Sequence, residues 1–240
     1  MLKKFILFSL ALFIISCGSD NPTNPDYSDF DFGMTENKEW VYDMSLGDET
    51  QKGLLESKLD TAPDGTPCVR IIETNIELGA SITYGYYKEE SNKLTKFHLG
   101  IKKSDHDPIG VDYSSFWETK LDLNKDSWVV KEYSKDTTDE SGVSYNYSLT
   151  IESEIIDRST ANFQGVERRT ITVRTTYRET EIATPLNETS DEYRDLRVED
   201  ITYMDGVGMY KHYFTHTFNG IDDKEVTFIY DNILTDYKEK

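Results

Sequence analysis

Basic residues are scarce in this chain relative to acidic ones. Its 240 residues include 26 lysines and arginines against 45 aspartates and glutamates, which gives a formal net charge of −19. A surface of that sign repels phosphate groups, which argues against general nucleic-acid binding. The same repulsion argues against direct adsorption of the protein to anionic lipid head groups.

Catalytic sequence motifs are missing as well. The chain has no Gly-x-Ser-x-Gly elbow, no His-Glu-x-x-His pair and no glycine-rich phosphate loop. A glycosidase needs only two carboxylates at a set separation, and a sequence neither supports nor excludes such a pair. We therefore name no catalytic residues, no metal ligands and no cofactor, and keep a carboxylate-dependent hydrolase as an alternative.

The first 16 residues have the pattern of an export signal. Lys3 and Lys4 precede an apolar run over residues 5–15 that only Ser9 interrupts. This run is shorter than the roughly 20 apolar residues that a membrane-spanning helix needs. Residues 1–16 are therefore predicted to be a signal peptide.

The end of this segment, Ile14-Ile15-Ser16-Cys17, resembles the lipobox of bacterial lipoproteins. The resemblance implies that Cys17 becomes the first residue of the mature protein and carries lipid such as palmitate. Several acyl chains hold a protein stably at a membrane, whereas one holds it only marginally. Because Gly18 rather than aspartate follows, the resemblance favours a lipid-anchored protein of the outer membrane, and it leaves the face of that membrane open.

Cysteine is otherwise represented by a single residue. If Cys17 is acylated, Cys68 has no intramolecular partner, although the export route permits disulfides. Cys68 lies in the apolar stretch of residues 67–72, so we expect it to be a small core residue.

The remaining chain divides into a tether and one folded domain. Residues 17–33 are rich in turn-forming residues and have no apolar period, which is typical of a flexible tether. No internal linker interrupts the rest, so we expect residues 34–240 to form a single domain.

The folded part alternates with a period of two, which predicts β-strands. The clearest case is a row of apolar residues with polar residues between them: Val143, Tyr145, Tyr147, Leu149 and Ile151. Short turn signals such as Asp64-Gly65, Asp205-Gly206 and Asn219-Gly220 favour pairing of successive strands.

We predict an all-β or mainly β fold, an antiparallel meander of long strands that forms a half-barrel, a barrel or a sandwich. At most one or two short helices are expected, at a capping box from Ser115 to Glu118 and over residues 49–59. A change of parity between Leu196/Val198 and Ile201/Tyr203 predicts a β-bulge near residues 199–200. At the level of fold alone, such a curled sheet with an aromatic concave face is similar to lipoprotein-localisation factors.

The strand at residues 210–218 is the best candidate for a binding site. One face carries aromatic and histidine side chains, namely Tyr210, His212, Phe214, His216 and Phe218. We interpret this face, with Tyr145 and Tyr147, as the wall of a ligand cavity, and plain core with two satisfied histidines is the alternative. Residues four apart on a strand are roughly 13 Å apart, so His212 and His216 are not expected to share a metal ion.

Arginines cluster in residues 158–197. Arg168, Arg174 and Arg178 share one strand face and could bind a carboxylate, phosphate or sulfate. The alternative, which we favour, is a ladder of cross-strand ion pairs with nearby glutamates, namely Glu179, Glu181, Glu192 and Glu199.

These observations favour a non-catalytic lipoprotein of the cell envelope that binds an apolar or amphipathic ligand in an aromatic-lined concavity. A surface glycan-binding or adhesion module, the hydrolase named above and an envelope component that binds only other proteins are the alternatives. Expected partners are the membrane, through lipid on Cys17, and a lipid-like or glycan ligand. The sequence leaves the oligomeric state open.

Overall fold

The computed structural model describes residues 26–76, 81–100, 109–186, 190–219 and 225–239. The signal peptide, Cys17 and the turn residue Gly220 lie outside this part of the chain. Within it, no helix is long and apolar enough to cross a membrane.

The described residues form one antiparallel sheet and no helix, which confirms the all-β prediction. Its strands are β1 (Lys38–Leu46), β2 (Glu49–Thr61), β3 (Pro67–Asn75), β4 (Ser81–Glu90), β5 (Lys93–His98), β6 (Phe116–Asp122), β7 (Ser127–Thr138), β8 (Ser144–Phe163), β9 (Val166–Thr184), β10 (Asp191–Met204), β11 (Gly208–Asn219) and β12 (Glu225–Glu239).

The sheet is a meander that curls into a nearly closed barrel. Its strand order is β6-β5-β4-β3-β2-β1-β12-β11-β10-β9-β8-β7, so the first and last strands pair with each other. The two edges, β6 and β7, are consecutive in the chain, and Trp128 Nε1 on β7 donates to the Thr119 carbonyl oxygen on β6, at 3.0 Å. The curl therefore brings both edges together without joining them in the ladder.

The concave side of this sheet holds the main apolar core. Its most buried side chains come from many strands and include Trp40, Tyr42, Leu94, Leu121, Ile171, Tyr203 and Met204. Alternation places these side chains inside because successive residues of a strand face opposite sides of the sheet. Ile151 on β8 is buried in the same way, in a smaller cluster with Tyr147 and Leu149.

Both expected helices are wrong. Residues 49–59 lie in β2, which pairs with β1 and β3, and Glu118 lies in β6, which pairs with β5. Leu55 and Ser57 are buried and alternate with less buried neighbours, as a half-buried strand requires. Pairing with neighbouring strands outweighs the local capping signal, because helical propensity is a weak preference that tertiary contacts override.

The expected bulge near residues 199–200 is also wrong. β10 pairs with β9 without a shift from Asp191 to Met204, and Leu196 points outward with 40% exposure. The same face of β10 points inward along the whole strand. The apolar pattern of the sequence changes parity because the inward-facing residues are charged before residue 200 and apolar after it. The register shift lies between Thr202 and Tyr203 in the pairing with β11, where Tyr210 is the extra residue.

The packed body begins before the expected boundary at residue 34. Phe30 and Phe32 are buried in the main core. The Asp31 carbonyl oxygen accepts a hydrogen bond from Gly206 N at 2.9 Å, and Asp31 N donates to Asp205 Oδ1 at 2.9 Å. Two buried aromatic side chains and these hydrogen bonds hold this part of the expected tether against the β10–β11 turn.

Candidate functional site

A cleft of about 360 Å³ opens on the inner face of the curled sheet. On β9 and β10 the apolar core occupies one end of each strand, with Val173 and Ile201, and the cleft occupies the other, with Tyr177 and Glu199. Its lining comes from β5, β6, β8, β9, β10, β11 and the segment before β6. The cleft is thus a continuation of the core side of the sheet in which the side chains become polar.

Aromatic side chains line the cleft on both sides of its charged residues. Tyr147 and Tyr113 lie toward β8, and Tyr133 packs behind them with ring centroids 5.9 and 5.5 Å away. Phe214 on β11 lies directly across from Glu199 of β10. Burial, followed by the charge of Glu179, raises the pKa of the Tyr147 hydroxyl, so the ring stays a neutral phenol. Such rings offer apolar area together with hydroxyl groups, as is common in ligand pockets.

The charged part of the cleft is built on a buried lysine. Lys120 Nζ donates to Glu118 Oε1 at 2.9 Å, to Glu199 Oε2 at 2.5 Å and to the Tyr177 hydroxyl at 3.0 Å. Lys120 and Glu118 are only 3% and 2% exposed. A buried ammonium is tolerated because two carboxylates compensate it.

The environment of this cluster keeps Lys120 and Glu199 ionised. Burial alone would lower the pKa of Lys120, but Glu118 and Glu199 outweigh it and raise that pKa well above its usual value. Burial would likewise raise the pKa of Glu199, but Lys120 and His212 outweigh it and lower that pKa well below its usual range. His212 Nε2 lies 3.0 Å from Glu199 Oε1, within ion-pair distance but without hydrogen-bond alignment.

A second charged cluster lies along the same face of β10. Arg197 binds Asp195 through two bonds, Nε to Oδ1 at 2.9 Å and Nη2 to Oδ2 at 3.1 Å. His216 Nε2 and the Tyr193 hydroxyl also approach Asp195 Oδ2, at 2.8 and 3.2 Å. Burial would raise the pKa of Asp195, but its hydrogen bonds from Arg197 and His216 outweigh it and lower that pKa. Arg197 Nη2 also lies 3.5 Å from Glu179 Oε2.

The structure places the predicted residues of β11 in four different settings. Phe214 lines the cleft, whereas His212 and His216 stand beside it as partners of the acids of β10. Phe218 lies further along the strand, where its ring stacks on that of Phe228 with centroids 5.9 Å apart. Tyr210, the bulged residue, packs against Phe163 outside the cleft lining.

The two tyrosines predicted on β8 also separate. Tyr147 is almost fully buried and lines the cleft. Tyr145 lies nearer the start of β8, where its hydroxyl bonds Asp139 Oδ2 at 3.2 Å, and it is not among the lining residues.

The predicted arginine stripe does not meet the cleft. Arg174 forms two hydrogen bonds with Asp200, at 2.8 and 2.7 Å, and Arg178 binds Glu152 at 2.6 Å. Arg168 donates to the Asp205 carbonyl oxygen at 3.2 Å. The contacts of Arg174 and Arg178 are cross-strand ion pairs of the kind that a ladder predicts, whereas that of Arg168 is to a backbone carbonyl in a turn. The partners differ from the expected glutamates, since Glu179 and Glu199 face the cleft and Glu192 binds Arg194.

The sequence analysis did not bring the charged residues of the cleft together, and it named Glu179 and Glu199 only as partners in an arginine ladder. Glu118-Thr119-Lys120 and Asp195-Leu196-Arg197 read as polar surface positions because charged side chains are rarely buried. The signal that could have found them is the opposite sign of charges two residues apart, which puts both on one face of a strand.

Among the described residues, no group of three or more histidine, cysteine or acidic side chains could hold a metal ion. The cleft offers instead aromatic rings together with hydrogen-bond donors and acceptors that ion pairs hold in place. Cys68 is buried beside Ala62 and Phe97, as expected for a small core residue.

Comparisons with known proteins add little to this description. No family model matches the chain, and no curated protein matches it. A solved structure of a candidate lipoprotein from Parabacteroides distasonis is similar over 87% of this chain and 98% of its own, with 14% identity and a TM-score of 0.42. A likeness this distant carries no argument about function.

Proposed function

We propose that this protein is a non-catalytic lipoprotein of the cell envelope that binds an amphipathic small molecule in the cleft of its curled sheet. The observation that carries the proposal is that the cleft lining combines aromatic rings with ion-paired side chains. Rings such as Tyr147 and Phe214 suit an apolar part of a ligand, and the charged clusters suit a polar part. A purely apolar ligand would cover the charged side chains without replacing their contacts with water, which is unfavourable.

The hydrolase alternative is not favoured by Glu199 and Asp195, two acids of the cleft. It requires two convergent carboxylates, at least one of them with a raised pKa that keeps it protonated as a general acid. Both Glu199 and Asp195 have lowered pKa values, because their cationic partners and hydrogen bonds outweigh burial. Glu199 and Asp195 are therefore ionised and bonded to partners within the protein.

The surface glycan alternative requires aromatic side chains on an outward-facing strip. The rings that define this site, Tyr113, Tyr147 and Phe214, belong to the concave side instead. This arrangement supports a ligand that enters the cleft over one that lies on the convex surface.

Binding is tested with the chain that begins at Gly18, which keeps all described residues. Native mass spectrometry should detect a bound amphipathic molecule, and a fluorescent fatty-acid probe should be displaced by it. Phe214→Ala should weaken probe binding at least tenfold, whereas Tyr213→Ala, the adjacent residue on the outer face, should leave it within twofold. No bound molecule and no probe uptake would refute the proposed binding function.

Membrane attachment is tested separately. We propose that Cys17 carries the lipid, which places the body at the outer membrane. Labelled palmitate should be incorporated in the producing cells, and Cys17→Ala should abolish the label. Fractionation of the membranes then shows which one retains the protein, and label that persists in the variant would refute the anchor at Cys17.

A further inference from the structure

The charges that line the cleft compensate one another almost completely. Lys120 lies between Glu118 and Glu199, and Arg197 lies between Asp195 and Glu179. The remaining lining lysine, Lys96, places its ammonium 4.9 Å from the ring centroid of Tyr84 and 5.6 Å from that of Tyr87, as in a cation–π contact. The lining histidine, His98, stacks on Phe116, and its Nδ1 lies 2.7 Å from the Leu99 carbonyl oxygen. Three cations thus stand against four carboxylates, and the nearby His212 and His216 contact two of those carboxylates.

This balance disfavours a charged head group. A ligand carboxylate would enter a cleft that already holds more acids than cations. A ligand ammonium would find each of the four lining acids already in contact with two protein groups. Glu118 contacts Lys120 and the Tyr177 hydroxyl, and Glu199 contacts Lys120 and His212. Asp195 contacts Arg197 and His216, and Glu179 lies beside Arg197 and the Tyr147 hydroxyl. A charge transferred from water without a free counter-charge pays a desolvation penalty that no new pair offsets.

A donor and an acceptor nevertheless remain available side by side. Arg197 is 41% exposed, and Asp195 occupies its Nε and Nη2. Since a guanidinium carries five N–H groups, the two on Nη1 can point to a ligand. Glu179, 3.5 Å from Nη2, supplies carboxylate oxygens with several lone pairs. Asp195 holds the arginine in place, because it is buried and takes further bonds from His216 and Tyr193.

We propose that the polar end of the ligand is uncharged and hydroxyl-rich, and that it binds at the Arg197–Glu179 pair. A hydroxyl group both accepts from the guanidinium and donates to the carboxylate, which a carboxylate or an ammonium head group cannot do. The apolar end then lies against Tyr113, Tyr147 and Phe214. This inference rests on the proposed binding function.

The test compares three ligands with the same C12 chain: 1-monolauroylglycerol, laurate and dodecylamine. Isothermal titration at pH 7 is carried out on the chain beginning at Gly18, below the concentration at which each ligand aggregates. We expect 1-monolauroylglycerol to bind at least tenfold more tightly than either charged ligand. Equal or tighter binding of laurate or dodecylamine would overturn the inference while leaving the binding function intact. If none of the three binds, both the binding function and the inference fail.

Two variants test the assigned residues. Arg197→Met should weaken the binding of 1-monolauroylglycerol at least tenfold. Arg194 is an exposed arginine of the same strand, and Arg194→Met should leave this affinity within twofold of the parent. Glu179→Gln keeps the shape of the side chain and removes one negative charge. It should therefore raise the affinity for laurate, relative to that for 1-monolauroylglycerol, at least fivefold. Unchanged affinity in Arg197→Met, or an unchanged ratio in Glu179→Gln, would contradict the assignment, and circular dichroism establishes that both variants are folded.

Discussion

Lys120 Nζ on β6 lies 2.5 Å from Glu199 Oε2 on β10, although seven strands separate β6 from β10 in the order of the sheet. The pair therefore spans the interior of the curl. Tyr177 on β9 takes part in the same cluster, since its hydroxyl donates to Glu118 Oε1 at 2.8 Å. These contacts connect the edge strand β6 with the opposite wall at the place where the backbone ladder is open.

We expect Lys120→Met to destabilise the fold by about 3–5 kcal/mol, because it leaves Glu118 and Glu199 buried without their shared cation. The free energy of unfolding from urea titration followed by circular dichroism measures this loss. Lys125→Met, in the exposed turn between β6 and β7, is the control and should stay within about 0.5 kcal/mol of the parent. A loss in Lys120→Met no larger than in the control would show that the pair does not help to close the curl.

Arg174 and Asp200 offer the opposite case on the outer face of the sheet. Their two hydrogen bonds are well formed, but the arginine is 41% exposed and competes with water and salt. We expect Arg174→Gln to cost at most about 1 kcal/mol, as exposed ion pairs do. The same urea titration measures it, and a loss as large as that of Lys120→Met would mean that burial does not decide the strength of these pairs.

Strand pattern and site chemistry differ in how far the sequence predicts them. The inner face of β8 was predictable because Tyr147, Leu149 and Ile151 are apolar and alternate with polar residues. The inner face of β10 was not, because Asp195, Arg197 and Glu199 look like surface residues until partners from β6, β9 and β11 are brought to them. That misreading also produced the incorrect bulge.

The same limit applies to the ends of the domain. Phe30 and Phe32 lie in a polar, turn-rich stretch, and nothing local in that stretch reveals the cavity that receives them. Their burial depends on the β10–β11 turn some 170 residues later, a contact that a local pattern does not contain.

Acid should weaken the fold through Glu199 and Asp195. Their folded pKa values lie below the usual 4.5 and 3.8, since cationic partners and hydrogen bonds outweigh burial. The unfolded chain therefore binds more protons than the folded one in acid, so stability rises with pH. The contribution is present above about pH 4.5 and is lost as the pH falls through the folded pKa values.

Urea titrations at several pH values between 7 and 3 measure this effect. We expect Glu199→Gln to be less stable than the parent at pH 7 and to lose less stability on acidification. Glu132→Gln, at an exposed position of β7, should follow the parent at every pH. Parallel curves for the parent and Glu199→Gln would contradict the role of Glu199 in acid sensitivity.

Gly33 tests whether the segment before β1 is part of the folded body. Its φ of +70° is left-handed, and an added Cβ would lie 2.6 Å from the Val207 carbonyl carbon and closer still to Gly208 N. Gly142 also has a left-handed φ, +89°, but open space surrounds its Cβ position. The left-handed conformation costs a side chain about 1–2 kcal/mol, and overpacking adds typically about 1–3 kcal/mol.

We therefore expect Gly33→Ala to lower the free energy of unfolding by about 3 kcal/mol or more, and Gly142→Ala by about 1–2 kcal/mol. Both positions share the left-handed conformation. Urea titration of the two variants side by side therefore separates the cost of the steric contact from the cost of the backbone conformation. A free tether would tolerate alanine at residue 33 without any loss. Equal losses in the two variants would mean that Gly33 does not pack against the β10–β11 turn.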